Sequence, residues 1–160
     1  MWEASEQTVI GAPPAAVWAV VADIEGHTRL AGSGEVKAIR MAGPLALGAT
    51  FEADIAVGVY GSFVARGVVT AVEPERELSW VSYPPLEEGE TEAHQIEVHW
   101  SFRLSPSDGG TAVDHTFRVP RPEAGADELE AFLERTDRIA SVRAGMRQTL
   151  ANLEEAAGPA

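Results

Sequence analysis

The chain has 160 residues, no cysteine and a formal net charge of −13, from 25 acidic against 12 basic side chains. Disulfides, thiol catalysis and cysteine-ligated metals are excluded, and a field of this sign repels nucleic acid and anionic membranes where no local basic patch offsets it. No stretch of 18 apolar residues is present, and the opening MWEASEQTVI is acidic and polar rather than basic and then apolar, so the expectation is one cytoplasmic domain over residues 1–160, without membrane insertion.

EASEQTVI (3–10) reads as a first strand. PPAAVWAVVADI (13–24) reads as a helix, with proline in its first turn and Val17, Val20, Val21 and Ile24 on one face. EGHTRLAGSG is a second short helix or turn running into a glycine loop. Strands are then expected near 35–42, 49–58, 62–73, 76–83, 93–104 and 111–119, cut by proline and glycine punctuation. In AHQIEVHWSFRL, His94, Ile96, Val98, Trp100, Phe102 and Leu104 alternate with polar residues, a period of two with one wet and one buried face. SPSDGG supplies a hairpin turn, and Val113, His115, Phe117 and Val119 continue the alternation in the next strand.

After PRPEAG the period changes to 3.6. Asp127 can cap a helix, with Glu130 three residues on, and Gly158-Pro159 ends it, which predicts one helix over about 127–157, roughly 45 Å long. Its stripe is Leu129, Phe132, Thr136, Ile139, Arg143, Met146, Leu150 and Leu153. A long amphipathic helix beside an antiparallel sheet is an α+β layout.

Three stretches carry a family resemblance. IGAPPAAVWAVVADIEGH resembles the opening of the polyketide cyclase/dehydrase and lipid-transport branch of the START-like (helix-grip, SRPBCC) superfamily, where an alanine-proline pair leads a helix carrying VW and ending in aspartate. VVTAVEPERELSWV is similar to its mid-sheet hairpin, and HWSFRLSPSDGGTAVDHTFRV to its last. The likeness spans roughly residues 3–155. One departure is HTRLAG in the second short helix, where many members carry a tryptophan. The resemblance implies a curved antiparallel sheet of about seven strands wrapped around a long C-terminal helix, with two short helices after the first strand. It also implies a cavity between helix and sheet for a small hydrophobic, lipid- or polyketide-like molecule.

On that layout the expected ligand-binding side chains are Phe51, Trp80, Val98, Trp100, His115, Phe117, Phe132, Ile139, Arg143 and Met146. Phe63 offers further aromatic lining, while Tyr60 and Tyr83 sit near strand ends and face either water or a cavity mouth. Aromatic residues at strand spacing are equally the mark of plain core. His94 and His115 share register with apolar neighbours and point inward, His94 at a strand start and partly solvated. A buried histidine is more often bonded to a backbone carbonyl than catalytic. Arg143 stands out, because a guanidinium keeps its charge when buried. It pairs with a sheet acid such as Glu52 or Asp54, snorkels to water, or meets a ligand. His94 and His99 lie five apart on opposite faces, no metal-ligand spacing occurs, and neither a nucleophile elbow nor a phosphate loop is present, so no metal or cofactor is expected. Three functions compete: a binding or transport module, a cyclase, aromatase or dehydrase moving protons through His115 with Arg143 steadying an enolate, and a co-chaperone-like interaction domain.

Overall fold

The computed structural model describes residues 1–58 and 60–158. Seven strands form one antiparallel sheet: β1 (Trp2–Ile10), β2 (Val36–Met41), β3 (Thr50–Val57), β4 (Gly61–Glu73), β5 (Glu77–Tyr83), β6 (Val98–Ser107) and β7 (Gly110–Val119). Their order is β1-β7-β6-β5-β4-β3-β2. From β2 onward each strand pairs with the next in sequence, through short turns at β3–β4, β4–β5 and β6–β7 and longer loops at β2–β3 and β5–β6. The β6–β7 turn is Asp108-Gly109, with Gly109 at φ 82°. The one long crossover carries the chain from β1 to the opposite sheet edge, and helices fill it.

Helix α1 (Pro14–Val21) starts at a proline whose missing N–H costs nothing in the first turn, and it buries Val17 and Val21. It ends where Asp23 accepts a hydrogen bond from the Gly26 backbone N–H, opening a short 3-10 turn over Ile24–Gly26. Helix α2 (His27–Leu30) follows directly and buries both its end residues.

The predicted single helix over 127–157 is two helices: α3 (Ala126–Arg135) and α4 (Arg138–Ala157). Between them Asp137 adopts a left-handed conformation, φ 49° and ψ 43°, and the Thr136 hydroxyl donates to the Phe132 carbonyl. Aspartate tolerates this region better than most residues. Asp127 is not the cap. The residue before α3 is Gly125 at φ 76°, and Asp127 and Glu130 instead hold Arg121 at 3.3 and 2.7 Å. The expected strand at 93–104 begins only at Val98. Residues Glu92–His94 form a 3-10 turn in which the His94 Nδ1 accepts from the Thr91 N–H at 3.1 Å. The Gln95 side chain donates to the carbonyls of Pro84 and Ile96.

The sheet curves round α4, the helix-grip layout. At one end Leu150, Leu153 and Ala157 of α4 close with α1 against Leu78, Phe102, Leu104 and Val113. Toward the other, Val142 and Met146 meet Ala4, Phe117 and Val119. Each valine, leucine, phenylalanine or methionine among them contributes about 1.5–3 kcal/mol when fully buried. Between these clusters helix and sheet stand apart. No helix among the described residues is long and apolar enough to cross a membrane.

Candidate functional site

The space between helix and sheet is a cavity of about 260 Å³, near the lower end of the range for small-molecule sites. Its wall on the sheet side follows from strand register. Trp80, Trp100 and Phe117 are directly paired across β5, β6 and β7, so they share the inner face, and Leu78, Phe102 and His115 form the next row. The Trp80 and Trp100 rings stack at 6.4 Å, Trp100 on His115 at 5.5 Å, and His115 on Phe102 at 4.0 Å. The result is a ladder of stacked rings across three strands.

Phe51, Trp80, Val98, Trp100, His115, Phe117, Phe132 and Met146 all line the cavity, as do Phe63 and Tyr60. Ile139 and Arg143 do not. Ile139 packs in the cluster of Phe117 and Val142. Arg143 lies on the α4 flank facing β1, its side chain 40% exposed. There Nη1 is 3.4 Å from the Glu6 carboxylate and donates to the Ser5 carbonyl at 3.3 Å. Its partner is therefore a sheet acid, but from β1, because Asp54 is held by Arg40 on the exposed face. His94 also lies outside this cavity, in the 3-10 turn. Tyr83 stacks under the Arg66 guanidinium at 4.9 Å and is not part of the lining.

Two groups were not anticipated. The arginine in the lining is Arg138, whose two terminal nitrogens donate to both Glu35 oxygens at 2.7 and 2.8 Å. This bidentate pair, about one-fifth exposed on each side, bridges the start of α4 and the loop before β2 at the cavity mouth. The second is His27, from α2, which is 7% exposed and lies edge-on to Trp80 at 5.3 Å. The spacing of Ile24, His27 and Leu30 along IEGHTRL carries the signal, since all three are buried.

His27 Nε2 donates to the Val21 carbonyl at 2.7 Å, and His115 Nδ1 donates to the Ser101 carbonyl at 2.9 Å. A carbonyl only accepts, so each N–H is fixed and the other ring nitrogen is an acceptor. Burial pushes both rings toward the neutral form, His115 down to about 4 and His27 in the same direction. Thr149 is spent, donating to the Gly145 carbonyl and accepting from the Gly32 N–H. Ser33, Ser141 and Tyr60 lie in the exposed mouth, where Tyr60 sits 4.8 Å from Phe132 of α3. No group of three or more acidic or histidine side chains among the described residues is placed to hold a metal.

A family model described as polyketide cyclase / dehydrase and lipid transport matches residues 1–158. No curated protein matches the chain. Among solved structures, TTHA0849 from Thermus thermophilus superposes with a TM-score of 0.67 at 17% identity, over 98% of this chain and 97% of that one. MLL2253 from Mesorhizobium loti gives 0.65 at 19% identity, over 97% and 96%. The di-domain aromatase/cyclase StfQ of the steffimycin biosynthetic pathway gives 0.64 at 12% identity, over 97% of this chain and 50% of that one. At these identities the structures share the fold.

Proposed function

The chain belongs to the polyketide cyclase/dehydrase and lipid transport family, and from that premise we propose that it binds and carries a small, largely apolar molecule with flat rings in the cavity between sheet and α4. The observation that supports this best is the stacked Trp80–Trp100–His115–Phe102 ladder lining an otherwise apolar space. Rings stacked on one another turn edges rather than faces to the space, and ring edges favour edge-to-face contact with a planar guest. A carrier needs few polar anchors. The strongest charges here are already paired with each other in Arg138 and Glu35, which suits binding better than chemistry.

The test is native mass spectrometry of the purified protein, followed by titration of the released apo form with two-ring aromatic compounds under tryptophan fluorescence. Trp80 and Trp100 line the space, so occupancy should quench emission saturably. Ala53→Leu, which adds bulk to a cavity-lining position, should weaken that response. Undiminished quenching in this variant would place the guest elsewhere.

His115 favours a second reading, a proton-moving cyclase or dehydrase, because a ring nitrogen without a protein partner borders the cavity. A base whose pKa is about 4 is weak at neutral pH, so the carrier reading ranks first. Incubation with a poly-ketone thioester, followed by absorbance of any aromatic product, separates the two. Turnover abolished by His115→Phe would overturn the carrier reading.

A further inference from the structure

We infer that the inner end of the cavity selects a neutral, hydroxyl-bearing ligand, such as a planar phenol, over a carboxylate or a bare hydrocarbon, through His27 and His115 acting together as a pair of hydrogen-bond acceptors. This rests on the reading of the cavity as a ligand site. The two rings come from distant parts of the chain, α2 and β7, yet both lie against Phe102, His115 stacked at 4.0 Å and His27 edge-on at 6.0 Å. Both are more than nine-tenths buried and both line the cavity. Each has its one N–H committed to a backbone carbonyl, Val21 for His27 and Ser101 for His115. What remains on each ring is a lone pair.

Both rings belong to the cavity lining. Among the described residues no enclosed side-chain nitrogen or oxygen lacks a partner, so the ring nitrogens without protein bonds are those reached from the open space. An acceptor-only site has a definite chemical preference. It takes a hydroxyl, which donates, and it repels a carboxylate or ketone, which brings a second set of lone pairs. A carboxylate would need a free cation. The lining arginine, Arg138, has its terminal nitrogens on Glu35, the hydroxyl donors of Ser33, Ser141 and Tyr60 sit at the exposed mouth, and the half-buried Ser82, opposite Val98, lies two inward rows away from the Phe102–His115 row. Burial holds both imidazoles neutral, so neither turns into a donor at neutral pH.

The experiment compares three ligands of one shape, 2-naphthol, 2-methylnaphthalene and 2-naphthoate, by equilibrium dialysis against the unaltered protein at neutral pH. The expected order is 2-naphthol tightest, by roughly tenfold over the hydrocarbon, the scale of one hydrogen bond to a buried acceptor, with naphthoate weakest. The double variant His27→Phe/His115→Phe, checked for folding by circular dichroism, should bring 2-naphthol down to the hydrocarbon, whereas either single change leaves one acceptor for the one hydroxyl. The three-ligand series decides whatever the variants do. Naphthoate binding as tightly as naphthol, naphthol no tighter than the hydrocarbon, or a naphthol preference that survives in the folded double variant overturns the inference alone. Binding of none of the three overturns the ligand-site reading and the inference with it.

Discussion

His115 sits at 3% exposure with its ring between Phe102 and Trp100, so its protonation is linked to unfolding. Its pKa of about 4 in the fold lies below the ordinary value of 6.5. Between those values the unfolded chain takes up the proton first. Stability is therefore whole above about pH 6.5, declines as pH falls toward 4, and loses nothing further to this group below that. The contribution is about 3 kcal/mol at most, and His27 adds in the same direction. Denaturant unfolding of the parent and of His115→Phe across this window should give a steeper decline for the parent, since carboxylate titration is common to both. Parallel curves would rule the linkage out. The two arginines make a second contrast. Arg143→Leu removes a 40%-exposed partner and leaves Glu6 with Arg147 at 3.2 Å. It should cost under about 1 kcal/mol and leave ligand binding intact. Arg138→Met orphans Glu35 at one-fifth exposure and should cost about 1–3 kcal/mol, part of it recovered by adding Glu35→Gln. Chemical denaturation of the four proteins checks both. The sequence singles out Arg143 in the stripe, whereas the arginine that lines the cavity is Arg138. Arg143 follows the row Ile139, Met146, Leu150, Leu153, of which Met146 alone lines the cavity, whereas Arg138 belongs to the row through Ser141, Val142, Gly145 and Thr149, all of which line it. Both rows have a period of 3.6, and only the position of β1, whose Glu6 covers Arg143, decides between them.

Among the elements, the sheet was the more legible part. Alternation in β6 and β7 and the Asp108-Gly109 turn state a hairpin whose register, Trp100 against Phe117 and Phe102 against His115, follows from the turn. The alternation runs on through His94 and Ile96 and so points to an earlier start than Val98, while the Gln95 side chain takes up backbone carbonyls that a strand would use. The break between α3 and α4 escaped for a different reason. Nothing in ERTDRIA interrupts the apolar period, and the chain turns because Asp137 accepts a left-handed backbone, which lets Leu129, Phe132 and Leu133 join the lining. Asp137→Val should therefore cost about 1–2 kcal/mol, the penalty of a β-branched residue in that region, whereas Asp137→Gly should not. Equal melting temperatures for the two variants would mean that the turn carries no backbone strain. On the opposite wall Phe51 lies flat over its cross-strand partner Gly67, so that a Cβ there would overlap the ring. Gly67→Ala must push Phe51 out of its place in the cavity wall, and reduced affinity for the aromatic probes is the expected readout.

For the molecule as a whole, the same sheet that curves round α4 also spreads a large negative charge over its exterior. The twelve basic side chains, even if every one were paired, would leave 25 − 12 = 13 carboxylates without a partner. Pairs such as Arg40–Asp54 and Arg121–Glu130 are close to half exposed on both sides, so salt weakens them, but each contributes little to begin with. Salt also weakens the mutual repulsion of the surplus carboxylates, which acts between many more groups and favours the expanded chain. The screening length falls from about 30 Å at 0.01 M to about 8 Å at 0.15 M, from roughly the width of the domain to the spacing of near neighbours. Relief of repulsion should win, and the melting temperature at neutral pH should rise as sodium chloride is raised across that range. Calorimetry on the parent and on Glu88→Lys, a charge reversal in the exposed loop holding Glu87, Glu90 and Glu92, isolates the cause. The variant should melt higher at low salt and gain less from added salt. A parent protein that melts lower as salt is added would show that its ion pairs, rather than its surplus charge, govern the electrostatics of folding.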